Sequence, residues 1–112
     1  MRLTLTLILL LAVSGCSSAD HLSTQPSQAE AQILLWVPVG TTVADAQSIM
    51  EKHHFTCSTI RNGKWGSEAG IDYLYCDYTS GEPFVKRRWQ AALILVDNKV
   101  SSVSVSTALI GL

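Results

Sequence analysis

A chain of 112 residues, 47% apolar and 15% charged, has room for one small globular domain. Its formal net charge of −1 lacks the basic footprint of a nucleic-acid binder, so no nucleic-acid partner is expected. Three cysteines and three histidines leave few ways to assemble a metal or thiol-based catalytic centre.

The chain opens with Met1-Arg2, the apolar run Leu3 to Val13, then Ser14-Gly15-Cys16. A basic start, a short greasy stretch and small residues read as an export signal that is cut away. A membrane-spanning helix needs roughly 20 apolar residues, and this run falls well short. Val13-Ser14-Gly15-Cys16 resembles the lipobox of bacterial lipoproteins. That resemblance implies a signal peptide over 1–15, cleavage ahead of Cys16, and acylation of the Cys16 sulfur as a lasting membrane anchor. Each buried methylene of such a chain contributes about 0.8 kcal/mol to membrane association. Ser17 and Ser18 stand where an Asp would signal inner-membrane retention, so the resemblance implies the outer membrane, facing the periplasm.

Residues 16–27 are polar and read as a flexible tether, about 40 Å when extended, which would lift the domain clear of the lipid head groups. A single domain is expected over 28–112. Ser27-Gln28-Ala29-Glu30 fits a capping box for a first helix, with Ile33, Trp36 and Val37 on one face and Pro38 as its stop. Thr42-Val43-Ala44-Asp45 begins a second helix, whose stripe Val43, Ala46, Ile49, Met50, His53 predicts a buried face to about His54.

From Phe55 the pattern turns to strands. Phe55 to Ile60 alternates, and Arg61 to Gly70, with its three glycines, reads as a loop. In Ile71 to Tyr78, Leu74, Cys76 and Tyr78 are expected inward, with Asp72 and Asp77 opposite. Lys86 to Val96 becomes apolar on both faces, which suits a central strand. Asp97-Asn98-Lys99 is a tight turn, and Val103 and Val105 alternate with serines as in a half-exposed strand. The expected fold is α+β: one or two N-terminal helices on a three- to four-stranded antiparallel meander.

With Cys16 assigned to lipid, Cys57 and Cys76 remain in an oxidising compartment and are expected as one disulfide. It would close a loop of 18 residues, for which chain entropy suggests about 3 kcal/mol. The rival reading, a pair of redox thiols, lacks the C-x-x-C spacing. His53-His54-x-x-Cys57 is the nearest approach to a metal cluster, but it supplies too few ligands for zinc, and His at a helix C-terminus suits the dipole. No metal or cofactor is expected.

Two features suit a partner contact. Trp65, between glycines in Gly63-Lys64-Trp65-Gly66, is an interface-favoured residue in a loop, although a loop Trp can also fold back over a small core. Lys86-Arg87-Arg88-Trp89 could meet an anionic group; on a strand Arg87 shares a face with Trp89 and Arg88 takes the other. Arg61 and Lys64 could add to it. Catalytic signatures such as G-x-S-x-G or H-E-x-x-H are missing, so no enzyme is expected.

Residues 33–112 resemble a family of small bacterial envelope lipoproteins. The likeness is carried by Val37-Pro38-Val39-Gly40-Thr41, Phe55-Thr56-Cys57, Leu74-Tyr75-Cys76-Asp77, Arg87-Arg88-Trp89-Gln90 and the last valine-serine strand. More distantly, helices followed by a meander are similar in architecture to the small lipoprotein of the outer-membrane β-barrel assembly machine, and to the repeats of β-lactamase-inhibitor protein. Architecture alone transfers no function. The resemblance implies a non-catalytic interaction or structural component of the cell envelope, with an envelope protein as partner. The alternative is a periplasmic enzyme inhibitor or ligand-binding module.

Overall fold

The structure is a computed structural model that describes residues 22–81 and 83–111. The expected signal peptide, Cys16 and the tether as far as residue 21 lie outside the described residues. The order is α1 (Pro26–Trp36), α2 (Val43–Lys52), β1 (Thr56–Trp65), β2 (Glu68–Gly81), β3 (Val85–Val96) and β4 (Lys99–Gly111). The four strands form one antiparallel meander in sequence order, so the fold is α+β.

The tether expected over 16–27 is corrected from Leu22 onward. Leu22 is buried, the Trp89 indole N–H donates to the Ser23 carbonyl at 2.9 Å, and Ser23 N–H donates to Gln32 Oε1 at 2.7 Å. A buried apolar side chain and satisfied backbone groups hold this stretch on the domain. The expected Ser27 cap is corrected too: α1 starts at Pro26, and its N-cap, Gln25, makes no side-chain capping bond. A proline's fixed φ and missing N–H suit the first helical position, so Pro26 sets the start.

In α2 the Thr42 hydroxyl accepts from the Asp45 amide at 3.3 Å, as a helix N-cap should. The stop is a Schellman arrangement. His54 N–H donates to the Glu51 carbonyl at 3.0 Å, Phe55 N–H donates to the Met50 carbonyl at 3.1 Å, and His54 is left-handed with φ +73°. Phe55, immediately after, is buried.

Both helices cover one face of the sheet. There Leu74 and Cys76 of β2, Trp89, Ala91, Leu93 and Leu95 of β3, and Val100, Val103 and Val105 of β4 meet Ala29, Ile33, Ala46 and Met50. Burial of this continuous apolar set is the main source of stability. β3 is paired on both sides, as expected of a central strand. Asp97 and Asn98, with φ of +55° and +63°, form the two-residue link between Val96 and Lys99, the primed turn that matches strand twist. At the open edge of β4, Val105 N–H donates to the Glu30 carboxylate of α1 at 2.9 Å, so the helix blunts an edge that would otherwise invite pairing.

The largest correction concerns Arg61 to Gly70. It is not a loop: β1 continues to Trp65, β2 begins at Glu68, and only Gly66 and Ser67 connect them. The pairing slips by one residue between Ile60 and Gly63 and slips back between Gly63 and Lys64. Two bulges account for this, one at left-handed Asn62 (φ +51°) and one at left-handed Gly70 (φ +69°). The glycines mark bends in strands rather than an irregular connection. Gly63 sits at the tightest point, where an added Cβ would collide with the Ile60 side chain and press on the Tyr73 ring.

Candidate functional site

The face of the sheet away from the helices carries Tyr73 and Tyr75 of β2, Arg88, Gln90 and Ala92 of β3, and Ser104 and Ser106 of β4. Residue parity and the pairing Tyr75–Ala92–Ser104 put them on one side. An open face of this kind is normally left to water. Here the bulged hairpin arches back over it. Trp65, at the end of edge strand β1, reaches across β2 and β3, and its indole N–H donates to Ser104 Oγ on β4 at 2.9 Å. Its ring meets Tyr73 edge-on at 5.8 Å and Tyr75 at 6.2 Å. The Tyr73 hydroxyl donates back to the Lys64 carbonyl at 2.7 Å, fastening the tip from below.

The bend is also held at its root. Asn62 N–H donates to Asp72 Oδ1 at 2.9 Å and the Arg61 guanidinium reaches Oδ2 at 3.3 Å. The Asn62 amide above all, with Arg61 adding to it, holds the Asp72 carboxyl below its ordinary range against the opposing effect of desolvation. This places Asp72 at the hairpin bend. It shares the parity of Leu74 and Cys76 rather than lying opposite them with Asp77, which corrects the expected alternation.

Between the arched tip and the sheet lies a cleft of about 310 Å³ lined by Trp65, Gly66, Gln90, Ser104, Val105 and Ser106. No lining residue is ionisable. Next to it, Arg88 makes a two-pronged pair with Asp77 at 2.9 and 2.8 Å, and both Arg88 (3.5 Å) and the Gln90 amide (2.7 Å) donate to the Tyr75 hydroxyl. The Asp77 carboxylate pushes the Arg88 guanidinium still further toward its protonated form. The result is a wall of fixed donors and hydroxyls under an indole ring. It can hold an uncharged polar group such as a backbone amide or a sugar hydroxyl, and it offers no nucleophile paired with a base.

The three sequence-predicted contact residues are not brought together. Trp65 and Arg88 share the open face, but Arg87 lies on the other face beside Trp89, opposite Leu109. Arg61 is engaged at the hairpin bend with Asp72, away from the β3 arginines. Cys57 and Cys76 are direct cross-strand partners, with sulfurs 2.6 Å apart. The neighbouring Cys57 sulfur, and then burial, push the Cys76 thiol up, so it is a poor thiolate. His53 stacks flat on Trp36 at 3.7 Å, in a row of rings that continues through Phe55 and Tyr78 to Trp89. Among the described residues no three His, Cys, Asp or Glu side chains converge as a metal site would require, and no helix is long and apolar enough to cross a membrane.

Sequence reasoning missed Tyr73, Tyr75, Gln90, Ser104 and Ser106. The alternating serines of β4 were the available signal, since they mark an uncovered face, but nothing local says that Trp65 crosses two strands to reach it. Searches with this chain match no family model, no curated protein and no solved structure.

Proposed function

We propose that this chain is a lipid-anchored, non-catalytic module of the bacterial envelope that binds a partner protein through the cleft beneath Trp65. The observation that carries the reading is the arched hairpin. A non-glycine residue held at positive φ and two compensating bulges are spent on bending an edge strand over an otherwise solvated face. Backbone strain of this sort gathers at binding sites. The neutral lining favours main-chain or amide groups of a partner over a charged substrate. The export signal and the Cys16 lipobox supply the address: the outer membrane, periplasmic side.

In that compartment we propose that Cys57 and Cys76 are joined. Directly opposed residues of antiparallel strands have Cα separations of about 4.5–5.5 Å, inside the range a disulfide bridges.

The test is a photoreactive amino acid at exposed Ser106, incorporated in the full chain in cells. A discrete protein adduct that disappears in Trp65→Ala supports the partner reading. Adducts that survive Trp65→Ala unchanged overturn it. The inhibitor alternative makes a different demand: the purified protein blocks a periplasmic enzyme with no membrane present.

A further inference from the structure

Building on the anchor proposed above, we propose that the end of the sheet formed by Phe84, Val85, Leu109 and Ile110 rests on the anionic lipid surface that holds the anchor. Phe84 is 69% exposed, Leu109 64%, Val85 50% and Ile110 41%. Pairing of Val85 with Gly111, Lys86 with Ile110 and Arg87 with Leu109 gathers them at one end, on both faces of the sheet. No core requirement accounts for four large apolar side chains standing in water together. Lys86 and Arg87 lie among them, exposed and half-buried respectively, and neither has an ion-pair partner among the described residues. One acid, Glu82, is nearby in sequence. Apolar side chains flanked by cations match the boundary between acyl chains and anionic head groups.

Chain length decides which end can face the membrane. The docking of residues 22–27 shortens the leash from the dozen residues expected over 16–27 to the six of 16–21 that precede Leu22. Six residues span at most about 20 Å. Ser23 is fastened at Trp89 and Thr24 at Thr107, so the leash starts at that level of the sheet. From Trp89 to Val85 is four strand residues, about 13 Å. From Trp89 to the Asp97-Asn98 turn is eight, about 26 Å, beyond the leash. The apolar end is therefore within reach of the bilayer, and the opposite end, with the Trp65 hairpin tip, is directed away and left open to a partner.

The acylated protein, purified from cells in detergent, is reconstituted into phosphatidylethanolamine–phosphatidylglycerol vesicles that contain a lipid with a diazirine in its acyl chain. After irradiation, peptides are mapped by mass spectrometry. Lipid adducts are expected at Phe84–Val85 and Leu109–Ile110. They should fall several-fold when phosphatidylglycerol is omitted or in Phe84→Ser/Ile110→Ser, with circular dichroism confirming the fold. Adducts confined to 16–21, adducts at the hairpin tip, or protein–protein cross-links covering the four residues instead overturn the lipid-facing end while leaving the anchor intact. An intact mass without acyl chains overturns both.

Discussion

If the hairpin is fastened over the sheet by Trp65, removing that fastening has a size that can be worked out. Trp65→Phe keeps a ring over Tyr73 and Tyr75 but loses the indole bond to Ser104. A neutral hydrogen bond contributes about 1 kcal/mol. Trp65→Ala also loses two aromatic contacts, each about 0.5–1.5 kcal/mol, and uncovers Tyr73, which is only 7% exposed. The expected costs are about 1 kcal/mol for Trp65→Phe and about 3 kcal/mol for Trp65→Ala. In a domain of this size each kcal/mol lowers Tm by about 4–8 °C. Urea unfolding followed by circular dichroism measures both. A double-mutant cycle of Trp65→Phe with Ser104→Ala isolates the shared bond, with an expected coupling of about 1 kcal/mol. A coupling near zero, together with a Trp65→Ala cost below about 0.5 kcal/mol, would mean that the tip does not lie on the face and that no cleft exists.

The Asp72 carboxyl, held below its ordinary value by the Asn62 amide and Arg61, stabilises the bend above about pH 4, and this contribution is lost as pH falls through the depressed folded value. Acid should therefore lower the protection factor of the Asn62 amide, its exchange taken against the intrinsic rate at each pH, before global unfolding, and Asp72→Asn should abolish that step; a wild-type protection factor unchanged with pH would contradict it. His54 is exposed and held at φ +73°, so His54→Gly should raise stability by about 0.5–1 kcal/mol in urea; a loss instead would place the helix stop elsewhere. Oxidation of Cys57 and Cys76 should stabilise the domain by about 3 kcal/mol over the reduced form, and equal melting of the two forms would count against the bond.

What could be read without coordinates was whatever is decided within a few residues. Thr42 and Asp45 mark the α2 start because a cap bond spans three positions, and Asp97-Asn98 marks a hairpin because both residues tolerate positive φ. The apolar run of β3 matches its place inside the sheet, with β2 and β4 on either side. The same local logic misled at Arg61 to Gly70, where glycines that serve bulges look like glycines that serve a loop. It misled again at Ser23 to Ser27, because a polar stretch looks unattached until a tryptophan 66 residues away takes the Ser23 carbonyl.

The site falls on the unreadable side for a physical reason. Its making depends on Trp65 meeting Ser104 across 39 residues and on Tyr75 meeting Gln90 across 15, and no periodicity carries that information. Its shape depends on a register slip that cancels itself: one extra residue at Asn62 and one at Gly70 leave Trp65 paired with Glu68 as if nothing had intervened, while the twist added at both bulges turns the tip inward. That cancellation explains the need for a glycine at position 63, since a side chain there would strike Ile60 and Tyr73 just where the two slips meet. Gly63→Ala should accordingly cost about 1–3 kcal/mol through overpacking and should move Trp65 fluorescence toward that of an exposed indole. A variant as stable as wild type, with its emission unchanged, would show that the hairpin can bend without this close approach.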